Sequence, residues 1–143
     1  PRLRCHWPAG LKVVLDTSAL VAILLADPEA MAMVHAIALD DVRLVGVPTL
    51  VEASAVMVAR KGPGGEVALD ALLERINVRV IEMSVPAAKL ARLAYTRFGK
   101  GVGDPAVLNY GDCLAYGVAM AERQPILFKG DDFGRTDVAV VRY

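Results

Sequence analysis

The sequence has 143 residues, enough for one domain with a single buried core. A hydrophobic fraction of 55% against 22% charged residues excludes a disordered chain. Sixteen basic and sixteen acidic side chains cancel, so bulk charge gives no sign of a nucleic-acid partner; buried acids subtract from the net charge, however, and a bound cation would restore positive potential where they cluster.

The first β-branched apolar run, Lys12-Val13-Val14-Leu15, stops at Asp16-Thr17-Ser18 and predicts a buried strand that feeds a polar turn and a helix N-cap. Ala19 to Leu25 continues as a short apolar helix, and Asp27-Pro28-Glu29 supplies an N-cap, a first-turn proline and an acid for a second helix from about Pro28 to Leu39. Arg43 to Val47 reads as the second strand. Pro48 then opens a helix with Glu52 in its first turns and Val51, Ser54, Ala55 and Val58 at helical spacing. Lys61-Gly62-Pro63-Gly64-Gly65 predicts a turn, and Leu69, Leu72, Leu73 and Ile76 mark one face of a helix from about Glu66 to Ile76. Val78 to Ile81 is the third strand, and Ser84 caps a helix to about Phe98. A flexible loop is expected from Gly99 to Pro105, and Asn109 caps a helix from Tyr110 to Glu122. Ile126 to Phe128 gives a fourth strand and Val138 to Val141 a fifth. Strands that alternate with helices imply an α/β fold with a mostly parallel sheet.

Residues 1–11 read as an N-terminal extension outside the core, leaving 12–143 as the domain. Cys5 and Cys113 lack metal-ligand spacing and are expected as free thiols in a reducing cytoplasm. His6 and His35 are too few and too far apart for a histidine site, so any metal must be held by oxygen. The apolar run from Leu20 to Ala26 is far shorter than the roughly 20 residues that span a bilayer. The opening segment also lacks the apolar stretch of a secretory signal. A cytoplasmic protein without membrane contact is expected.

Ligands of parallel α/β sheets bind outside the carboxyl ends of the strands. Asp16 ends the first strand there, and Asp131 and Asp132 follow the fourth. Asp112 sits in the first turn of the helix that precedes that strand, and Glu52 near the start of the helix after the second. Glu52 has only Leu50, Val51, Ala53 and Ala55 around it, and a carboxylate in an apolar setting needs a partner or a cation. Asp112 lies on a helix that is apolar nearly all round and is expected to be part-buried. For each acid, capping or simple solvation is the competing explanation. Asp131 is preferred over Asp132 as the fourth acid, with Asp132 kept open because adjacent side chains need not face the same way. Asp137 reads as a turn or strand-start residue rather than a ligand. Thr17 and Ser18 are expected to cap the helix or to orient Asp16, while Lys100, Arg97, Lys129 and Arg135 flank the crevice and are candidate phosphate contacts. Such oxygen donors suit a hard divalent ion that keeps several waters, and phosphodiester hydrolysis is the reaction that follows.

Four blocks, Val13-Val14-Leu15-Asp16-Thr17-Ser18, Thr49-Leu50-Val51-Glu52, Asn109-Tyr110-Gly111-Asp112-Cys113 and Leu127-Phe128-Lys129-Gly130-Asp131-Asp132-Phe133, resemble in order and spacing the PIN domain, and within it the VapC toxins of bacterial toxin-antitoxin pairs. The resemblance covers about Lys12 to Tyr143. It implies a three-layer α/β/α sandwich with a central parallel sheet. It also implies a Mg2+- or Mn2+-dependent endoribonuclease, a homodimer and a VapB-type antitoxin. Asp16, Glu52 and Asp112 fall on the family's acidic positions, with Asp16 and Asp112 as principal metal ligands and Glu52 as a further ligand or proton acceptor. The competing readings are a PIN nuclease of RNA processing without an antitoxin, an inactive PIN scaffold that binds a partner, and, outside the family, a phosphoacceptor domain.

Overall fold

The computed structural model describes residues 12–143, so the expectations for the N-terminal extension, Cys5 and His6 lie outside the described residues. In chain order the elements are β1 (Lys12–Leu15), α1 (Thr17–Leu24), α2 (Ala30–Ala38), β2 (Val42–Gly46), α3 (Val47–Lys61), α4 (Pro63–Arg75), β3 (Val78–Ile81), α5 (Val85–Phe98), α6 (Tyr110–Glu122) and β4 (Ile126–Leu127), followed by a 3-10 turn at Phe133–Arg135. The strands form a parallel sheet in the order β3-β2-β1-β4. The chain therefore leaves β1 toward β2 on one side and returns to its other side as β4, which makes the carboxyl end of β1 the point where crossover loops diverge.

Alternation along the strands builds two cores. Val13, Leu15, Val45 and Leu127 face a layer that includes Leu20, Met33, Ile37, Ala53, Leu69 and Leu72 of α1 to α4. Val14, Leu44 and Ile126 face Ala87, Ala94, Ala115, Tyr116 and Val118 of α5 and α6 on the other side. Burial on both faces explains why the strands read as continuous apolar runs, and the result is the expected three-layer α/β/α sandwich. Among the described residues, no helix is long and apolar enough to cross a membrane.

Several local expectations change. The fifth strand reduces to a bridge between Val140 and Ile126, closed by Ile126 N–H to Ala139 O and Val141 N–H to Ile126 O, both 2.9 Å. The glycine-rich segment is not an open turn: the break falls on Gly62 alone, at φ 69°, and α4 starts at Pro63. Pro63 is compatible with a first helical turn, and Gly65 is needed there because a Cβ would overlap the backbone carbonyl of Met57 in α3. The buried stripe of α3 is Thr49, Ala53 and Met57, whereas Val51 is 63% exposed, so the apolar surroundings inferred for Glu52 from sequence neighbours are partly solvent-facing. Asp27 does not cap α2 with its side chain, because its carboxylate pairs with Lys129. The loop after α5 is also more ordered than expected: Lys100 N–H donates to Leu108 O and Leu108 N–H to Phe98 O, each at 2.7 Å, and Ala106 and Leu108 are buried.

Helices α5 and α6 pack closely at Gly117, where a Cβ would collide with the carbonyl of Ala87 and with Ala91. Gly117→Ala should therefore lower stability by roughly 1–3 kcal/mol, the cost typical of overpacking. Thermal unfolding should show a fall of about 3–10 °C, and an unchanged midpoint would mean that the two helices do not meet as described.

Candidate active site

Each acid at the carboxyl edge of the sheet is carried by the start of a helix. Asp16 is the N-cap of α1: its Oδ2 accepts from the Ser18 backbone N–H at 3.0 Å and from the Ser18 hydroxyl at 2.7 Å. The same Ser18 oxygen accepts from the backbone N–H of Lys129 at 2.9 Å, and Asp16 N–H donates to Leu127 O at 3.0 Å. The ends of β1 and β4 are thus fastened together at this residue. Asp16 Oδ1 is buried and has no hydrogen-bond partner among the described residues.

Thr17 turns away from Asp16 and donates its hydroxyl to Glu52 Oε1 at 2.5 Å, so the first turn of α1 orients two acids rather than one. Glu52 lies against the start of α6, where a Cβ on Gly111 would overlap its carboxylate. Gly111 is a site residue that the sequence reading passed over; its place beside Asp112 in a helix first turn was the available signal. Asp112 closes a capping box with Asn109: Asn109 N–H donates to Asp112 Oδ2 at 3.0 Å and Asp112 N–H to Asn109 Oδ1 at 2.8 Å. The cap and the half-buried site acid are the same residue.

Electrostatics show which acids lie together. Burial pushes the Asp16 carboxyl up to about 7, against the lowering effect of Ser18, and the charges of Asp112 and Glu52 add to the rise. Burial also raises Asp112, with further contributions from Glu52 and Asp132. Asp132 therefore acts on the cluster. The exposed Asp131 instead acts on Tyr143, beside which it lines a shallow cleft with Gly130 and Val141. Cys113, next to Asp112, has its thiol raised to about 11 by burial and is unsuited to nucleophilic work near neutral pH.

Three of the four basic side chains at the rim have other partners. Lys129 Nζ pairs with Asp27 at 2.8 Å and Glu29 at 3.4 Å, Arg135 donates to Pro105 O at 3.0 Å, and Arg97 pairs with Asp137 at 3.3 Å. Lys100 is exposed on the loop after α5. Among the described residues no Lys or Arg forms an ion pair with Asp16, Glu52 or Asp112. Nor do three or more His, Cys, Asp or Glu side chains form a ready-made metal cage there. An unpartnered buried carboxylate oxygen flanked by further carboxylates nevertheless fits a hard divalent cation, which takes one or two carboxylates and completes its shell with water.

A family model for the PIN domain matches residues 13–139. The chain belongs to the PIN-domain family. Within the family it is similar to VapC ribonucleases: it is 45% identical over 129 residues to ribonuclease VapC of Mycolicibacterium smegmatis, covering 90% of this chain and 99% of that protein. It is 42% identical over 126 residues to ribonuclease VapC28 of Mycobacterium tuberculosis, covering 88% and 95%. Among solved structures, the fold matches VapC20 of Mycobacterium tuberculosis, a toxin that cleaves the sarcin-ricin loop, with a TM-score of 0.73 at 19% identity over 92% of this chain and 99% of that one. It also matches VapBC2 from Rickettsia felis bound to a promoter DNA fragment, with a TM-score of 0.72 at 16% identity over 92% and 98%.

The raised carboxyl of this PIN domain has a consequence for stability. An acid held near 7 in the fold but near 3.8 when unfolded stabilises the native state below about pH 4 and loses that contribution as pH rises to about 7. In chelator, thermal unfolding of the wild type should lose on the order of 2–3 kcal/mol between pH 5 and pH 8 relative to Asp16→Asn, which removes the titrating group. Parallel pH profiles for the two proteins would show that burial does not raise this carboxyl.

Proposed function

We propose that this PIN domain is a divalent-metal-dependent endoribonuclease, the toxin of a VapBC-type pair, with Asp16, Glu52, Asp112 and Asp132 as its acids. The observation that carries the reading is the unpartnered, buried Oδ1 of Asp16 among carboxylates that lack a cationic side-chain partner. Names of relatives at 42–45% identity supply the ribonuclease chemistry. Asp132 replaces Asp131 as the preferred fourth acid because its charge acts on Asp112.

In this mechanism Asp16 and Asp112, each held by a hydrogen bond at a helix N-terminus, would hold Mg2+ or Mn2+. When bound, the ion supplies positive charge for the phosphate oxygens and raises the acidity of water beside it. Glu52, with Oε1 fixed by Thr17, presents Oε2 to take the proton from the attacking water. Ser18 holds Asp16 in the required rotamer through its two-way hydrogen bonding. With Lys129 and Arg135 engaged elsewhere, neutralising the RNA phosphate would fall to the exposed Lys100, the cation and helix N-termini.

The same proposal includes a homodimer, a VapB-type antitoxin and a cytoplasmic location. Exposed Met31, Leu39, Val51 and Val67 on and beside α2, α3 and α4 provide apolar surface for a protein partner. Solved relatives include a VapBC complex.

Labelled RNA incubated with the purified chain should be cut in Mg2+ or Mn2+ and left intact in chelator. Asp16→Ala and Asp112→Ala should each reduce cleavage by about 100-fold or more, the scale seen when a preorganised electrostatic group is lost. Asp132→Asn should slow cleavage and Asp131→Asn should not. Wild-type rates in both Ala variants would overturn the site.

A further inference from the structure

The chain carries a second acid-centred contact on α6 that the proposed chemistry does not use. Tyr116 lies one helical turn beyond Asp112, so the two side chains share a face of α6. The segment after β4 meets that face at Asp137, on Tyr116, and the charge of Asp132 acts on Asp112. The Tyr116 hydroxyl, on a side chain only 3% exposed, donates to Asp137 Oδ1 at 2.5 Å. Between these two points Phe133 is buried edge-on against Phe128, with ring centroids 4.9 Å apart, and Thr136 Oγ1 donates to Phe133 O at 2.7 Å.

We propose that the Tyr116–Asp137 hydrogen bond is a clasp that holds the 129–137 segment on α6 and keeps Asp132 opposite Asp112, making Tyr116 and Asp137 positioning residues for the acidic cluster. Like charges at Asp112 and Asp132 repel, and the segment's other anchors, Lys129 N–H on Ser18, the buried Phe133 and Arg135 on Pro105 O, leave the Tyr116–Asp137 bond as its side-chain tie to α6. The bond joins a carboxylate acceptor to a donor shielded from water. Arg97 adds an outer contact to Asp137 Oδ2 at 3.3 Å while lying 4.5 Å above the Phe98 ring. Both members of that ion pair are about half exposed, so it contributes little on its own. Phe98 in turn stands 6.1 Å from the Tyr116 ring, so the aromatic packing that seats the tyrosine survives removal of its hydroxyl.

This inference rests on Asp132 being the fourth acid, and the test separates the two. Mn2+ is titrated into the full chain with free Mn2+ followed by electron paramagnetic resonance, for wild type, Tyr116→Phe, Asp137→Asn, Asp132→Asn and the Tyr116→Phe/Asp132→Asn double variant, with a melting curve for each. Tyr116→Phe and Asp137→Asn should each weaken Mn2+ binding by about 10-fold, as loss of an outer-shell partner does. In the Asp132→Asn background, Tyr116→Phe should change affinity by less than about twofold, because it acts through the residue already neutralised. Wild-type affinity in Tyr116→Phe, with or without a lower melting temperature, overturns the clasp, as do losses that simply multiply in the double variant. Wild-type affinity in Asp132→Asn overturns the fourth acid and the clasp together, whereas weak binding in Asp132→Asn beside normal binding in Tyr116→Phe overturns the clasp alone.

Discussion

The fold is organised around the free energy of keeping the Asp16 carboxylate out of water beside two more acids. Desolvation and like charge both oppose ionisation there. No cationic side chain among the described residues answers that charge. What answers it is backbone. Asp16 caps α1 and Asp112 sits in the first turn of α6, so each carboxylate accepts a hydrogen bond from a main-chain N–H where the helix end is electropositive. Such support is partial by design of the geometry: a helix N-terminus satisfies one oxygen and leaves the other open. The sheet order explains why those helix starts meet, since β1 is flanked by β2 and β4 and the helices that bear the acids all begin at the same edge.

The supports interlock. Ser18 serves Asp16 and the end of β4 with one hydroxyl, Thr17 serves Glu52, and Asn109 serves Asp112, so three neighbouring polar residues each fix an acid from a different part of the chain. At its buried end, around Asp16, such a network is costly wherever a polar atom lacks a partner. Here the donors are used and an acceptor, Asp16 Oδ1, is left over. Steric fit is equally tight, because Gly111 leaves the space that the Glu52 carboxylate fills. An inert scaffold would gain by replacing such a group with an apolar one, which makes the retained cost an argument for chemistry.

Most of the architecture was legible because strands buried on both faces and helices with polar caps leave strong local patterns. Asp16, Ser84 and Asn109 were readable as caps, and their helices begin where those residues predict. Less legible was anything decided by long-range contact. The face of α3 that is buried follows from packing on α1 and α4, so it turned to Thr49, Ala53 and Met57. Asp27 reads as a helix cap until Lys129, distant in sequence, claims its carboxylate. The rim cations, candidate phosphate contacts, show the same limit: sequence shows their charge but not Asp27, Pro105 or Asp137 engaging Lys129, Arg135 and Arg97.

The fourth acid is the clearest instance. Asp131 and Asp132 are indistinguishable by composition and adjacent in sequence, and the choice between them depends on how the chain leaves β4. Gly130, at φ 111°, lets the backbone turn sharply before both acids. Burial of Phe133 then fixes the residue before it on the α6 side, while Asp131 is left toward Tyr143. A hydrophobic anchor thus sets which of two equal charges acts on Asp112, the basis of the proposed fourth acid. The difference between the two is one of direction, not of acidity, and it traces to Gly130 and Phe133 rather than to either acid.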